Sequence, residues 1–274
     1  MDKTVLVTGA SSGIGEAAVR RLIADGCTVY AAARRVERMA PLEAAGARLV
    51  KLDLTDDASI DAAIETMRGE TGRLDVLVNN AGYGSYGALE DVPIEEGRRQ
   101  FEVNLFGLAR LIQLALPMMR AQGSGRIVNV SSMGGVIWEP FGAWYHATKF
   151  ALEGFSDSLR VELAPFGIQV VVIQPGVIRT EWSGIARDGL LRHSGEGAYA
   201  QPARRHARML KGASSSFASP PEVVAETIAR AVRARRPRTR YATGRMANTL
   251  MALRRLIPDR TFDRVMWRLS QGRG

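Results

Sequence analysis

The stretch "TVLVTGASSGIG" (residues 4–15) is an apolar run that leads into a glycine-rich turn, after which a helical pattern begins. The Val, Leu and Thr residues of 4–8 indicate a buried β-strand. Gly9, Gly13 and Gly15 permit a tight turn, a close backbone approach and close packing of the next helix on the strand. The first amide groups of that helix, and its positive dipole end, suit a diphosphate. The stretch therefore predicts a strand–turn–helix unit that binds a nucleotide, and because its spacing is not GxxxxGK[ST], ATP chemistry is disfavoured.

Similar apolar runs alternate with helical patterns along the chain. The strand-like runs are 4–8, 27–33, 47–53, 74–80, 125–132, 168–174 and 238–243, and the main helical patterns are 13–25, 57–70, 97–121, 144–165 and 220–235. The runs are too continuous for half-exposed antiparallel strands, which indicates burial on both faces. The alternation predicts an α/β fold with a doubly wound parallel sheet of about seven strands and helices on both faces. We expect one domain over 1–274, with a lid over the site at 176–219 and a basic helical extension at 245–274.

Composition narrows the class of protein. The single cysteine, Cys27, excludes a disulfide framework, and three scattered histidines show no ligand spacing, so no metal site is expected. The N-terminus carries no basic leader before an apolar stretch, and the apolar run 108–119 is interrupted by Arg, Gln and Pro. We therefore expect a cytoplasmic protein without a transmembrane span. The net charge of +9 is concentrated in residues 204–274, which contain 17 basic and 4 acidic residues, but no recognition motif accompanies them and nucleic-acid binding is not expected.

The second predicted strand ends in "AAARR" (31–35), without the acidic residue that usually binds the ribose hydroxyls of NAD. A guanidinium at this point can bind the extra phosphate of NADP through paired hydrogen bonds. Alternatively, Arg34 and Arg35 simply begin an exposed helix. The sequence favours NADP over NAD as the cofactor, with Arg34 the better placed arginine.

Several further motifs follow in a fixed order. They are "LDLTD" (52–56), "NNAG" (79–82), Asn104 in "VNLFG", "NVSS" (129–132), "YHATK" (145–149) and "PGVIRT" (175–180). Together with the glycine-rich turn they resemble the short-chain dehydrogenase/reductase family, in its compact single-domain branch, from Thr4 to about Thr180. The resemblance implies a Rossmann-type sheet and an oxidoreductase that transfers a hydride between NADP(H) and a carbonyl or alcohol.

The resemblance also assigns cofactor contacts to matching positions. It implies that Asp53 holds the adenine ring, that Asn80–Gly82 support the cofactor and the central sheet, and that Pro175–Thr180 flank the nicotinamide. The predicted cofactor-binding set is Gly9, Ser11, Ser12, Gly13, Ile14, Gly15, Arg34, Arg35, Asp53, Leu54, Asn80, Ala81, Gly82, Tyr145, Lys149, Pro175, Gly176, Val177, Ile178 and Thr180.

Four residues are the candidate catalytic group. Tyr145 and Lys149 are four residues apart, so on a helix they share one face, where the ammonium can lower the pKa of the phenol that donates a proton to the substrate. Ser132 ends the fifth strand, where such sheets bind ligands, and can donate to the substrate oxygen, whereas Ser131 is expected to face the other side. Asn104 is either a buried amide that bonds the backbone or, as the resemblance implies, part of a water-linked proton relay from Lys149; we favour the relay.

Four aromatic side chains lie close in sequence to these residues: Trp138, Phe141, Trp144 and Trp182. They are either ordinary packing or the lining of an apolar pocket, and we expect pocket contact for some of them. Such a pocket favours a lipophilic carbonyl or alcohol, such as a steroid, a retinoid or a long-chain compound, and the resemblance leans toward hydroxysteroid-dehydrogenase-like and retinol-dehydrogenase-like members. His146, beside Tyr145, is expected to face away and has no assigned role.

The basic extension contains two apolar helical faces, one of Met246, Leu250, Leu253 and Ile257, the other of Phe262, Val265, Met266 and Leu269. We expect them to pack on the body or on a neighbouring subunit of a homo-oligomer (a dimer or a tetramer), with peripheral membrane contact as the alternative. A non-catalytic NADP-sensing regulator is the main alternative to an enzyme. The presence of Ser132, Tyr145 and Lys149 argues against it.

Overall fold

All seven predicted strands are present in the computed structural model, which describes residues 2–212 and 217–272. Met1, residues 213–216 of the predicted lid and residues 273–274 of the predicted extension lie outside the described residues. The strands are β1 (Thr4–Thr8), β2 (Thr28–Ala33), β3 (Arg48–Lys51), β4 (Val76–Asn79), β5 (Gly125–Val130), β6 (Ile168–Pro175) and β7 (Arg240–Thr243). They form one parallel sheet in the order β3-β2-β1-β4-β5-β6-β7, which confirms the predicted doubly wound fold.

Helices cover both faces of the sheet. They are α1 (Gly13–Ala24), α2 (Ala40–Glu43), α3 (Asp57–Thr71), α4 (Ile94–Phe101), α5 (Gly107–Ala121), α6 (Ala143–Leu163), α7 (Trp182–Ser194), α8 (Ala200–Gly212), α9 (Glu222–Arg233), α10 (Ala247–Leu256) and α11 (Asp259–Ser270). Side chains alternate along each strand between two cores. In β1, Val5 and Val7 pack with α1 and α9, while Leu6 packs with α3, α5 and α6 on the other face.

The order of the strands creates the cleft that holds the site. β1 lies between β2 and β4, so the chain leaves β1 toward one edge of the sheet and later returns to its other side. The loops that follow β1 and β4 therefore run apart, and ligands of doubly wound sheets bind in the crevice between such loops. Several predicted strands end one or two residues early, since their last residues, such as Ser131 and Ser132, already belong to these loops.

The helical region Ile94–Ala121 contains a π-helical turn at Glu102–Phe106, between α4 and α5. By length and composition alone it is long and apolar enough to cross a membrane, although no such span was expected from the sequence. Leu108, Leu111 and Ile112 are buried in the core against the sheet, whereas Ile94 and Phe106 are exposed. We therefore interpret it as a core helix. Its π-turn is of interest because such turns often occur at functional positions.

The basic extension forms α10 and α11, which pack on the loop after β5. Leu250, Phe262 and Met266 are buried in one cluster with Ile137. Leu256 and Trp267 are exposed, as are most of the arginines of these helices. The expected packing of the apolar faces on the body is thus present for part of each face.

Candidate active site

A cavity of about 760 Å³ opens at the carboxyl edge of the sheet and brings the predicted site residues together. Its walls contain all of the predicted cofactor residues except Gly15, and three of the four candidate catalytic residues: Ser132, Tyr145 and Lys149. Asn104 lies behind the wall, although its neighbour Val103 lines the cavity. The size is within the range of small-molecule sites in proteins.

The glycine-rich turn has the backbone that a diphosphate requires. Gly9 (φ 68°) and Gly13 (φ 59°) adopt left-handed conformations, and a Cβ on Gly9 would lie 2.9 Å from the Cα of Ala81. A Cβ on Gly15 would lie only 2.2 Å from the carbonyl oxygen of Gly9, so Gly15 serves the packing of α1 on the turn rather than the cavity wall. Only glycine permits this approach, and it places the N-terminus of α1 at the cavity. The residues present therefore fit a dinucleotide.

Thr8, which was not among the predicted residues, ties the end of β4 to this turn. Its hydroxyl oxygen accepts from the backbone N–H groups of Asn80 and Ala81, each at 3.0 Å. The side-chain amide of Asn80 donates back to the Thr8 carbonyl oxygen at 3.0 Å. These bonds fix the two loops on either side of the cleft, which is the supporting role expected for Asn80.

Charged groups cross the mouth of the cofactor end of the cavity. After β2, Arg38 donates to Glu181, in the loop after β6, at 2.7 Å. The Nη2 atom of Arg35 lies 3.6 Å from Glu181 Oε2 and 3.5 Å from the hydroxyl oxygen of Ser11. The hydrogen bond from Arg38, together with the charges of Arg38 and Arg35, holds the pKa of Glu181 below its usual value. Glu181 was not predicted, because no sequence signal links it to Arg38, 143 residues earlier.

Asp53 lies on the same side of the cavity. One of its oxygens accepts from the backbone N–H of Thr55 at 3.0 Å and from the Thr55 hydroxyl at 2.8 Å. Burial acts to raise the pKa of Asp53, but the two Thr55 bonds and the charge of Arg34 outweigh it and hold that pKa below its usual value. Asp53 is thus a carboxylate whose second oxygen can accept a hydrogen bond, as an adenine amino group requires.

The Ser132 and Tyr145 side chains both line the cavity, and the Ser132 hydroxyl is close enough to the phenol to act on its pKa. The Ser132 oxygen accepts from the backbone N–H of Gly134 at 2.9 Å, which leaves its own O–H to donate. Burial raises the pKa of Tyr145 well above its usual value, and the nearby Ser132 hydroxyl only partly offsets this. Desolvation of the phenolate thus sets the direction of the Tyr145 shift in this structure, and the expected lowering of that pKa by Lys149 stays a prediction.

Lys149 is buried beside the end of β5. Its ammonium group donates to the carbonyl oxygen of Val130 at 3.0 Å. Burial lowers the pKa of Lys149 to about 8, while the charge of Glu153, one helical turn further along α6, acts to raise it. Glu153 in turn accepts from Arg240 at 2.9 Å. This carboxylate was not among the predicted residues, although its i,i+4 spacing from Lys149 is a usable signal.

Asn104 is buried in the π-turn and uses its side chain to hold the backbone. Its amide oxygen accepts from the N–H of Tyr83 at 3.1 Å, and its amide nitrogen donates to the Tyr83 carbonyl at 3.0 Å and to the Thr148 hydroxyl at 3.1 Å. The side chain therefore takes the first of the two predicted arrangements, a buried amide that bonds the backbone. A Cβ on Gly82 would lie 3.0 Å from the Asn104 amide oxygen and 3.8 Å from the Lys149 nitrogen, so these groups are neighbours.

His146 has a structural role that was not predicted. Its Nδ1 atom lies 2.9 Å from the carbonyl oxygen of Gly134, and its Nε2 atom accepts from the backbone N–H of Glu139 at 3.1 Å. This pair of partners defines the neutral tautomer with the proton on Nδ1. His146 thus fixes the loop 132–139, which carries Ser132, to the helix that carries Tyr145. Its partners are backbone groups, so residue types alone could not reveal them.

Of the four aromatic residues considered for the pocket, only Trp182 lines the cavity. Trp144 packs against Phe101, Trp138 against Phe262, and Phe141 against Tyr199, all edge to face. Tyr86 takes their place beside the catalytic centre, with its ring 5.9 Å from that of Tyr145 and 5.7 Å from that of Trp182. The far side of the cavity is aliphatic and sulfur-containing, with one further aromatic ring, and is lined by Met209, Leu210, Phe217, Met246, Leu250, Met266 and Leu269.

Comparison with known proteins agrees with this arrangement. The short chain dehydrogenase family matches residues 3–189. A Helicobacter pylori protein named as a probable short-chain type dehydrogenase/reductase VdlC is 34% identical over 268 residues, which is 98% of each chain. An NADPH-dependent 3-dehydrocapnine reductase from Ornithobacterium rhinotracheale is 34% identical and covers 96% of this chain and 95% of its own. A 3-ketodihydrosphingosine reductase from Bacteroides thetaiotaomicron is 42% identical over 64% of each chain.

Two solved structures extend the comparison. The crystal structure of a short-chain dehydrogenase from Streptomyces avermitilis has a TM-score of 0.81 and 36% identity, with both chains covered completely. A short chain dehydrogenase/reductase from Burkholderia phymatum in complex with NAD has a TM-score of 0.80 and 26% identity, and covers 93% of this chain and 92% of its own.

The fold and the site define a nucleotide-binding oxidoreductase built on a doubly wound parallel sheet. The chain belongs to the short-chain dehydrogenase/reductase family, whose members use NAD(P)(H) and act on alcohol and carbonyl groups. The family resemblance drawn from the sequence is thereby confirmed.

Proposed function

We propose that this protein is an NADP(H)-dependent oxidoreductase that interconverts a lipophilic carbonyl compound and the corresponding alcohol. The observation that carries the proposal is that Ser132 and Tyr145 line the same cavity as the glycine-rich turn, with the Ser132 hydroxyl close enough to the phenol to act on its pKa. One end of the cavity thus suits a dinucleotide, and the other end suits the oxygen atom of a substrate.

The cofactor would be held by residues already described. The N-terminus of α1 and the turn from Gly9 to Gly13 would receive the diphosphate, Asp53 the adenine, and the loop Pro175–Thr180 the nicotinamide. When bound, the reduced nicotinamide supplies the hydride for the carbonyl carbon.

Tyr145 is the proton donor in this proposal. Because burial raises its pKa, the phenol keeps its proton near neutral pH, and this is the form that carbonyl reduction consumes. Ser132 donates its O–H to the substrate oxygen and so aligns it with the phenol. The oxygen gains the phenol proton as the carbon gains the hydride, and a solvent proton then restores Tyr145.

Lys149 is proposed to hold the ribose hydroxyls and to stabilise the phenolate that forms when Tyr145 gives up its proton. Both side chains are buried on one face of α6, so the ammonium charge acts in a medium that screens it weakly. Asn104 is proposed to keep the π-turn and the Tyr83 backbone in place beside Lys149, where a water-linked relay to solvent can return the proton.

The preference for NADP over NAD rests on Arg34 and Arg35. Both line the cavity after β2, where the strand carries no acidic residue. A 2′-phosphate next to Ser11 would be within reach of the Arg35 guanidinium, and an arginine pair suits such a dianion. The NADPH dependence named for the Ornithobacterium relative supports the same assignment.

The lipophilic substrate is proposed from the apolar far wall of the cavity. Two relatives named as reductases, of 3-ketodihydrosphingosine and of 3-dehydrocapnine, support the carbonyl-reducing direction. We also propose a cytoplasmic homo-oligomer, with the exposed Leu256 and Trp267 and the arginines of α10 and α11 available for a partner subunit or a membrane surface.

The central test is a panel of long-chain and cyclic ketones and alcohols with purified protein, followed by nicotinamide absorbance with NADPH and NADH. We expect turnover with NADPH that Tyr145→Phe reduces by about a thousandfold, since the proton donor is lost, while Tyr241→Phe on β7 retains activity. Full activity of Tyr145→Phe would refute the mechanism. A parent enzyme that prefers NADH, or an Arg34→Asp variant with an unchanged cofactor ratio, would refute the NADP assignment.

A further inference from the structure

Among the residues that the structure describes, a carboxylate in the substrate half of the cavity has no lysine or arginine beside it. Glu139 lines the cavity, and one of its oxygens, Oε1, accepts from the Tyr86 hydroxyl at 2.6 Å. The other oxygen, Oε2, lies 4.0 Å from Nε2 of His206, which is too far for a hydrogen bond. Within 2–212 and 217–272, no lysine or arginine forms an ion pair with Glu139.

The groups that face Glu139 do not supply positive charge. His206 is fully buried, and burial lowers its pKa, so it is neutral near pH 7. Both of its ring nitrogens are buried without a hydrogen-bond partner among the described residues. His146 is held in its neutral tautomer by the Gly134 carbonyl and the Glu139 backbone N–H. Tyr86 donates one hydrogen bond and carries no charge.

Glu139 is also held rigidly and close to the proposed catalytic phenol. Its backbone is anchored by His146, and its side chain by Tyr86, whose ring packs 5.9 Å from the ring of Tyr145. The carboxylate is thus separated from the reacting centre by the thickness of about one side chain. A partly buried carboxylate with a free oxygen gains most from a ligand that brings both a positive charge and N–H donors.

We propose that Glu139 binds the ammonium group of an amine-bearing, long-chain carbonyl substrate. The inference rests on the proposed function and specifies its substrate class: a ketone with a protonated amine near the carbonyl and an alkyl chain. The ketone oxygen lies at Ser132 and Tyr145, the ammonium group at Oε2 of Glu139, and the alkyl chain along the wall formed by Met209, Met246, Leu250, Met266 and Leu269. Glu139 is accordingly a specificity-determining residue that neither gives up nor receives the transferred proton, although its charge acts to raise the pKa of Tyr145.

The test uses two ketones of equal chain length, one with an amine on the carbon next to the carbonyl and one without it. We expect the parent enzyme to show a kcat/KM at least about tenfold higher for the amine-bearing ketone with NADPH, the effect of a hydrogen bond to a charged group. Glu139→Gln keeps the size of the side chain and its bond with Tyr86, and it should abolish this preference while leaving turnover of the amine-free ketone within about threefold. Glu162→Gln, on the exposed face of α6, is the matched control and should keep the preference.

A second measurement does not depend on how the variant folds. In the parent enzyme, a long-chain alkylamine should inhibit reduction of the amine-free ketone at least about tenfold more strongly than the alcohol of equal chain length. Equal inhibition by the two compounds, or an equal kcat/KM for the two ketones, would overturn the Glu139 assignment and leave the proposed oxidoreductase intact. Absence of turnover with every ketone would overturn both proposals.

Discussion

Replacing Lys149 by methionine should stabilise the fold near neutral pH although it removes a proposed catalytic group. Burial lowers the pKa of Lys149 from 10.5 to about 8, so the folded state holds a proton that the buried site disfavours. At 1.36 kcal/mol for each pKa unit, the charged form costs the folded state about 3 kcal/mol. Loss of the hydrogen bond to the Val130 carbonyl destabilises the variant by about 1 kcal/mol. We therefore expect Lys149→Met to raise the free energy of unfolding by about 2 kcal/mol near pH 7.

The pH dependence identifies the cause of this gain. Between about pH 8 and pH 10, the unfolded parent holds a proton on Lys149 that the folded parent has lost, so the stability of the parent rises with pH in this window. The variant has no such group. Its advantage should therefore shrink by about 1.4 kcal/mol for each pH unit above 8, and it should be small near pH 9.5.

Urea unfolding of both proteins near pH 7 and near pH 9.5, followed by circular dichroism, measures these differences. Comparing the parent with the variant cancels the contributions of the other titratable groups, which the two proteins share. Lys51→Met, at an exposed position, serves as the control and should show a pH-independent difference. If the difference in free energy of unfolding between the parent and Lys149→Met stayed constant from pH 7 to 9.5, burial of the ammonium would not destabilise the folded parent, and the reasoning would be wrong.

Three further predictions concern other parts of the site. Gly9→Ala places a Cβ at φ 68° and 2.9 Å from the backbone of the β4 loop, so we expect a loss of about 1–3 kcal/mol of stability and at least tenfold weaker cofactor binding, measured by urea unfolding and by nicotinamide fluorescence titration. His146→Leu removes both bonds to the Ser132 loop, so kcat should fall by about tenfold or more while the cofactor Kd changes little; an unchanged kcat would show that the loop holds Ser132 without the imidazole. Glu153→Gln removes the charge that supports the Lys149 ammonium, so the alkaline limb of the pH–rate profile should move to lower pH, and a shift to higher pH would contradict the sign of this interaction.

The fold could be predicted from the sequence because a parallel sheet buried on both faces leaves a strong local signal. Runs such as 4–8 and 168–174 are apolar throughout, and their ends in the structure fall within two residues of the prediction. The roles of Gly9 and Gly13 could also be predicted from the sequence, because a left-handed backbone favours glycine directly. These features depend on neighbours in sequence.

The rest of the site depends on contacts between distant segments. Trp138 and Trp144 lie within seven residues of Tyr145 in sequence, yet they pack on α11 and α4 and do not line the cavity. Glu181 meets the arginines that follow β2 only because β2 and β6 end at the same edge of the sheet. The direction of the Tyr145 pKa shift could not be predicted from the sequence either, because it depends mainly on how completely the phenol is buried.

The ion pairs between Glu181 and the two arginines have a consequence for how the nucleotide enters and leaves. They join the loop after β2 to the loop after β6 across the mouth of the cleft, and all three side chains are exposed to solvent. A phosphate that binds Arg35 replaces the Glu181 carboxylate as the anion beside the guanidinium. Dissolved salt weakens the carboxylate contact and the phosphate contact together, so their effects partly cancel. The affinity for the nucleotide should therefore fall less steeply with ionic strength than the number of arginines at the mouth suggests, while the rate of exchange rises as the bridge between the loops loosens.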